Sequence, residues 1–471
     1  MAFSLSPKDL IKYSALFFAI LIAIGVVAQG AVLYGAMVLG LLGLPFIALS
    51  LYNYRFGIIV LFGIGTFMFV IGRILRTDLP FGVLFDLLIV LIFISIALKS
   101  KENEKLDLRL NDPITISNLV FYLYFALQVL NPNATNIMAW VSSIRQYTLL
   151  LFFFVMITYF NKKLVIQRFI YVWLFVAMIV ALYGLKQEFI GLANFEWDFI
   201  YATPDRYFRY FNWGHMRTFS ILSDPSAFGL FMGFSGLATL ILSFGPFNFF
   251  KKAILAFMTL AIFASMIYSG TRTAYAMVVV GIVFFVVLNI KNVKVLAASI
   301  VFAIVFLVLM FGPFYSGPII RLRSTFNLSE DASMNVRDNT RVMYQYYVQH
   351  HPFGGGVNTT GNIGLKYSPS HPLAGYPPDS GFLRTALELG WIGLILVLII
   401  DISVVVRGIK NHYSLKDEKL KIFNMAFMVP FFGLTIANYA QDAMFQKPVL
   451  LPVIATYALM IKIKEIEDEG V

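Results

Sequence analysis

Apolar runs, broken at short intervals by small clusters of charge, occupy the chain from Ile11 to Ile463. A helix needs about 20 mostly apolar residues to cross a hydrocarbon layer about 30 Å thick. Fourteen stretches approach that length: 11–27, 31–51, 57–74, 82–98, 114–130, 141–160, 169–189, 226–244, 253–268, 274–290, 295–311, 382–405, 422–437 and 449–463. In lipid every backbone N–H and C=O must be bonded within the protein, so runs of this length predict helices. The expectation is an all-α polytopic membrane protein of about 14 transmembrane helices, in a range of 12–14, forming a single integral membrane domain over 1–471. No small-residue cleavage site follows the first apolar stretch, which is expected to stay as a helix rather than leave as a signal peptide.

The polar interruptions orient the spans. Cytoplasmic loops carry an excess of Lys and Arg, and with the N-terminus cytoplasmic 21 of the 36 basic residues fall on that side. They include the run from Lys99 to Arg109 and the cluster from Arg407 to Lys421. The C-terminus is then cytoplasmic as well, with its acidic tail from Glu465 to Glu469 solvated. The opposite face receives a first periplasmic loop at 190–225, a large periplasmic loop at 312–381 with short interfacial helices, and a tight turn around 269–273. Lys and Arg divide unequally, with 17 Lys and 4 Arg on the cytoplasmic side and 12 Arg and 3 Lys in the remainder. Arg presents a planar fork that grips phosphate or carboxylate with two parallel hydrogen bonds. An anionic substrate on that face is one reading of the excess, and interfacial packing of long side chains is the other.

Composition sharpens this picture by exclusion. Hydrophobic residues make up 59% of the chain and charged ones 13%, with a mean hydropathy of +0.80, well beyond a soluble domain. Cysteine is absent, which removes disulfides, thiolate nucleophiles and Cys-ligated zinc. His215, His350, His351, His371 and His412 show no metal-ligand spacing, so no metal and no cofactor are expected, nor a nucleic-acid partner. Asp86 and Asp401 lie in or at the ends of predicted helices, and Glu188 and Glu388 near boundaries. Without an internal repeat these few acids give little support to an ion-coupled relay.

Four segments carry candidate chemistry. Met216–Gly229 leads into a helix that Asp224 or Ser223 caps, with Pro225 at its first position, and capping leaves Arg217 unexplained. Arg206 and Arg209 stand among Tyr201, Tyr207, Phe208, Tyr210, Phe211 and Trp213, rings that suit either a membrane interface or stacking on sugars. The turn Tyr268–Tyr275 places Arg272 between two apolar helices, where a charge is costly and orientation does not call for it. Asn335–Tyr347 reads as a capped interfacial helix containing Arg341, ended by a turn over His350–Asn358 with three glycines. Pro377–Gly393 opens a transmembrane helix at Asp379, which serves either as its N-cap or, beside several arginines, as a carboxylate that accepts a hydroxyl proton. Arg145 and Arg384 complete the arginines counted as substrate-binding.

Together these segments resemble the O-antigen ligase and polysaccharide polymerase superfamily of bacterial inner membranes. Three motifs carry the resemblance: Ser-Gly-Thr-Arg at 269–272, Arg-x-x-x-Tyr followed by His-Pro-Phe-Gly-Gly-Gly within 341–356, and Asp-Ser-Gly-Phe-Leu through Glu-Leu-Gly-Trp-Ile-Gly at 379–393. They lie in the family's order within 216–405. The resemblance implies a multi-pass protein of the bacterial inner membrane acting on sugars linked to undecaprenyl pyrophosphate in the bilayer, with a chain-length regulator as a further partner.

Arg272 and Arg341 match the family's pyrophosphate arginines, and Arg217, Arg145, Arg206, Arg209 and Arg384 would support them. Asp379 stands where the family's ligases have a histidine, which favours a polymerase, with His371 as the alternative base. The implied reaction is a metal-independent displacement that inverts the anomeric centre. Alternatives are ligase-type transfer to a lipid A core or protein, a transporter or flippase for an anionic lipid-linked substrate, and a non-catalytic assembly factor.

Overall fold

The structure, a computed structural model, describes residues 48–76, 81–99, 106–212, 215–313, 319–320, 323, 342 and 344–470. The predicted span 11–27 and most of 31–51 lie outside these residues, as does Arg341. Among the described residues ten helices are long and apolar enough to cross a membrane, so the chain is a polytopic, all-helical membrane protein.

The order begins with α1 (Tyr54–Leu75), α2 (Phe81–Lys99) and α3 (Pro113–Leu127). Next, α4 (Ile137–Ser142) and α5 (Tyr147–Tyr159) make one span interrupted by a 3-10 turn at Ile144–Gln146, and α6 (Lys163–Phe189) follows. The predicted loop 190–225 is largely structured. It holds α7 (Asn194–Tyr201), α8 (Pro204–Tyr210) and a hairpin of β1 (Phe211–Asn212) with β2 (His215–Met216). Three more long helices are α9 (Pro225–Ser243), α10 (Phe249–Tyr268) and α12 (Val293–Phe311), with the shorter apolar α11 (Arg272–Leu288) before the last. After the short α13 (Gly361–Tyr367) come α14 (Gly381–Ser414), α15 (Glu418–Ala437) and α16 (Leu450–Asp468).

Hydrophobic surface sorts these helices between core and lipid. In α9 and α15 the apolar windows are 83% and 78% buried, whereas in α12 only 6% is covered. The first two form the centre, packed on each other and flanked by α10 and α11, while α12 turns residues such as Ile300, Val301 and Ile304 outward. Outward aliphatic side chains cost nothing in a hydrocarbon solvent and need no further partner. α16, buried along nearly its whole length, packs on α5, α14 and α15.

The two ends of the bundle differ in their charge chemistry. At the lysine-rich end the ions are paired: Arg407 with Asp112 at 2.7 Å, Lys462 with Asp107 at 2.8 Å, and Lys163 with Asp417. Burial pushes the Asp107 carboxyl up, but Lys462 and Arg109 outweigh it and hold the group below its usual range. Asp112 and Asp417 also cap α3 and α15, so one carboxylate serves a helix end and an ion pair together. The other, arginine-rich end carries the longer connections, and there Asp224 caps α9 ahead of Pro225, as the sequence predicts.

Candidate functional site

At the arginine-rich end Arg217 joins two of the predicted segments. Its Nε donates to the carbonyl oxygen of Ser269 at 3.0 Å, Nη2 to Thr271 Oγ1 at 3.3 Å and Nη1 to the carbonyl oxygen of Arg209 at 3.4 Å. Thr271 Oγ1 in turn donates to the carbonyl oxygen of Pro225 at 2.9 Å. The approach is so close that a Cβ at Gly229 would stand 2.6 Å from Ser269 Oγ, which accounts for glycine there. Arg272 follows as the first residue of α11, half-buried, where the free N–H groups of the helix start add positive potential.

The same turn reaches the third motif. Thr273 Oγ1 donates to Gln441 Oε1 at 2.6 Å, and the next residue, Asp442, donates its N–H to the carbonyl oxygen of Asp379 at 2.7 Å and pairs with Arg384. Asp379 is exposed and is not the helix cap. That role falls to Ser380, whose Oγ accepts from the N–H of Leu383 at 3.2 Å, because the chain turns into the helix one residue later. The capping reading of Asp379 is thus corrected, and its carboxylate is not used to begin α14.

The glycine run and the Glu-Leu-Gly stretch dock into each other. α14 breaks at Gly390, whose φ of 71° is left-handed, and the break frees three carbonyls. Gly355 N–H donates to Leu387 O at 2.8 Å, Gly356 N–H to Glu388 O at 2.9 Å, and Tyr124 Oη to Leu389 O at 2.6 Å. A Cβ at Gly390 would overlap the carbonyl oxygen of Pro352, so backbone packs on backbone. The Glu388 carboxylate accepts from Asn358 N–H at 3.0 Å and from the Thr360 hydroxyl. Irregular backbone of this kind survives in a membrane protein where protein groups satisfy it.

His371 belongs to this dock. It is buried, accepts at Nδ1 from Leu373 N–H at 3.1 Å, and its Cε1 would lie 2.6 Å from a Cβ at Gly355. Burial pushes its pKa down and His351 adds to this, opposed by a backbone hydrogen bond at Asn133, so the ring is neutral at neutral pH.

Beside these elements a cavity of about 1310 Å³ opens at the arginine-rich end. Arg145 and Arg206 line it with Arg73, Arg76, Lys366 and Lys447, whereas Arg217, Arg272, Asp379 and Arg384 do not. Composition gave no signal for Lys447 or for Asp86 as its partner. Asp86 takes Arg145 Nη2 at 2.7 Å and Lys447 Nζ at 3.7 Å, one carboxylate between two cations. Burial pushes the Lys447 pKa down and Arg145 pushes the same way, against Asp86. Arg206 Nη1 donates to the carbonyl oxygen of Phe199 at 2.9 Å and its guanidinium stacks over that ring, while Arg209 is exposed. Arg73 was hidden within a predicted span. It is buried and donates to the carbonyl oxygens of Ser220, at 3.2 Å, and Leu222. Gln187 Oε1 accepts from the N–H groups of Phe219 and Ser220, and the two side chains together fix the loop that presents Arg217.

Residues 255–398 match the family model of O-antigen ligases. No curated protein matches the chain. The O-antigen ligase match takes in the Ser-Gly-Thr-Arg turn, the glycine run and Asp379 through Gly393, so the resemblance to the ligase and polymerase superfamily holds where the motifs lie. Arg217, Arg145, Arg206 and Lys447 fall outside the matched residues, yet Arg217 bonds directly to a turn within them. The cavity beside the matched residues is lined at the arginine-rich end by groups from α1, α2, the 3-10 turn before α5, and the loop before α16.

Proposed function

We propose that this protein is a membrane glycosyltransferase that polymerises oligosaccharide repeat units carried on undecaprenyl pyrophosphate. The observation that carries the reading is the continuous bonded path from Arg217 through Thr271 and Thr273 to Gln441, Asp442, Asp379 and Arg384. It gathers cationic groups and an exposed carboxylate at one helix-end surface beside a large cavity.

In this reaction an acceptor hydroxyl oxygen attacks the anomeric carbon of the donor glycan while the bond from that carbon to the pyrophosphate oxygen breaks. The electron pair leaves on the pyrophosphate, where Arg272 and Arg217 meet the growing charge. A fixed donor aimed at developing charge is worth about 10²–10³ in rate. Arg341, outside the described residues, is assigned to the same anion from the sequence. The hydroxyl proton passes to the Asp379 carboxylate, a general-base contribution of about 10²–10⁴-fold. One displacement inverts the anomeric centre, and the guanidinium groups carry the charge compensation without a metal.

The test is incubation of the purified full-length protein with lipid-linked repeat units in the presence of a chelator, followed by mass analysis of glycan length. A ladder that disappears in Arg272→Ala is expected. Absence of any elongation by folded protein on intact substrate overturns the polymerase. The description of the matched family favours a second reading, transfer of the lipid-linked glycan to a lipid A core or protein. Single transfer to such an acceptor without a ladder would establish it.

A further inference from the structure

The cavity at the arginine-rich end is larger and more strongly charged than transfer between neutral sugars needs. Its 1310 Å³ exceeds the roughly 300–1,000 Å³ of pockets for drug-sized ligands and has room for an oligosaccharide. Six basic side chains line it against two acidic ones, Asp86 and Asp198. Arg73 is spent on backbone carbonyls and Arg76 on an ion pair with Asp198. Arg145 and Lys447 share the single carboxylate of Asp86, which leaves one positive charge over at that corner. Lys366 adds one more, Arg206 adds another from a guanidinium that has one nitrogen on the Phe199 carbonyl, and among the described residues no further acid lines the cavity.

Lys447 is held there at a cost. Its side chain is 16% exposed, its Nζ lies 4.1 Å from the centre of the Phe85 ring, and its distance to Asp86 is long for an ion pair. A desolvated cation with half a partner is stabilised by any anion that enters. Phe81 and Gly82, in the first turn of α2, also line the cavity. Tyr201, stacked on Trp197 and Tyr207, and Tyr367, under the Lys366 ammonium, add aromatic surface to the wall.

We infer that this cavity binds a negatively charged saccharide, one bearing a carboxylate or a phosphate ester, of the glycan that enters as acceptor, with Arg145 and Lys447 as the anion-recognising pair. The inference rests on the glycosyltransferase reading for the word acceptor, but the binding itself requires no turnover. Selection for an acidic sugar would then be set by residues outside the O-antigen ligase match.

Direct binding to the full-length protein in detergent tests it, with three probes of like size: maltotriose, trigalacturonate and a maltotriose phosphate ester. One or both charged probes are expected to bind at least tenfold more tightly than maltotriose, and which of them does so identifies carboxylate or phosphate as the group. Arg145→Gln and Lys447→Gln should each weaken that binding about tenfold, and each leaves Asp86 with one cation, so the fold keeps its ion pair. Asp86→Asn should strengthen it, a change that misfolding does not imitate, while Arg272→Gln leaves it in place. Equal affinity for the three probes, loss in Arg272→Gln instead of Lys447→Gln, or displacement of the charged probe by inorganic pyrophosphate at lower concentration than by the probe itself would each overturn the inference. Polymerisation is not read in any of these arms, so failure here is separate from failure of the polymerase assay.

Discussion

The guanidinium of Arg217 donates through Nε to the carbonyl oxygen of Ser269 at 3.0 Å and so ties the approach to α9 to the turn that carries Arg272. Three acceptors on two stretches of chain use the planar fork, and an ammonium group on a flexible stem cannot reach them together. Arg217→Lys is therefore expected to lower glycan elongation about 10–100-fold, the loss of one or two charge-assisted hydrogen bonds, at unchanged protein level. Full activity in the Lys variant would reduce Arg217 to a point charge.

Asp379 and Ser380 separate the proposed base from the cap. Ser380→Ala removes the Oγ that accepts from Leu383 and should cost about 1 kcal/mol of stability with elongation nearly intact. Asp379→Asn should do the reverse, leaving the melting temperature in place and slowing transfer by about 10²–10⁴-fold. Thermal unfolding and rate measured on both variants decide the assignment, and an Asn variant at full rate removes Asp379 from the reaction.

Gly354 and Gly390 face each other with no room between them, and both have left-handed φ, 73° and 71°. At φ 71° and ψ 179° Gly390 occupies a region essentially confined to glycine, which costs another residue about 1–3 kcal/mol before any overlap is counted. Gly390→Ala must in addition push Pro352 away and undo the Gly355 bond to Leu387. The expected result is a clearly lower unfolding temperature together with lost transfer, whereas Ala at the open position Gly63, within the same protein, should do neither. A Gly390→Ala protein that melts with the wild type would show that α14 does not need its break.

Much of this architecture is legible in the sequence because hydropathy and lipid exposure are the same physical quantity. Predicted spans 57–74, 82–98 and 226–244 fall within a few residues of Tyr54–Leu75, Phe81–Lys99 and Pro225–Ser243. Asp224 and Pro225 announce their own helix start because a cap is a local signal. The stretch 382–405 instead belongs to a helix that runs to Ser414 and breaks at Gly390, and the break depends on a glycine run about 35 residues upstream. Asp86, Arg145 and Lys447 come together from three distant stretches and carry no common spacing, so only the packing of α2, α5 and α16 reveals them. Arg73 lies within the predicted span 57–74, and a single buried cation satisfied by carbonyls leaves no mark in composition.

His371 gives a pH signature. Its folded-state pKa is depressed, so above the unfolded value of about 6.5 the ring is neutral in both states and its packing contributes in full. As pH falls below that value the unfolded chain takes up a proton that the folded chain refuses, and stability declines until the folded group also titrates. Unfolding temperature should therefore drop from about pH 6.5 downward, more steeply in the wild type than in His371→Gln. Identical slopes in the two proteins would show that the ring titrates freely in the folded state.

Arg73 makes the last case, because it acts on Arg217 through the loop it holds. Its donors satisfy Ser220 and Leu222 carbonyls inside the protein, and its guanidinium lies 4.8 Å from the centre of the Phe219 ring. Arg73→Leu keeps the apolar contact, takes its donor from the Leu222 carbonyl at a cost of about 1–3 kcal/mol, and leaves the Ser220 carbonyl with Gln187 Nε2 alone at 3.2 Å. Ser220, with φ 53°, already sits in a conformation that its neighbours must enforce. The loop 218–223 should then exchange amide hydrogens faster while the distant Phe244–Asn248 turn stays as it was, and Arg217, no longer presented to Ser269, should lose its share of the rate. Unchanged exchange at 218–223 would mean that Gln187 alone holds the loop, since its Oε1 accepts two of the same backbone N–H groups.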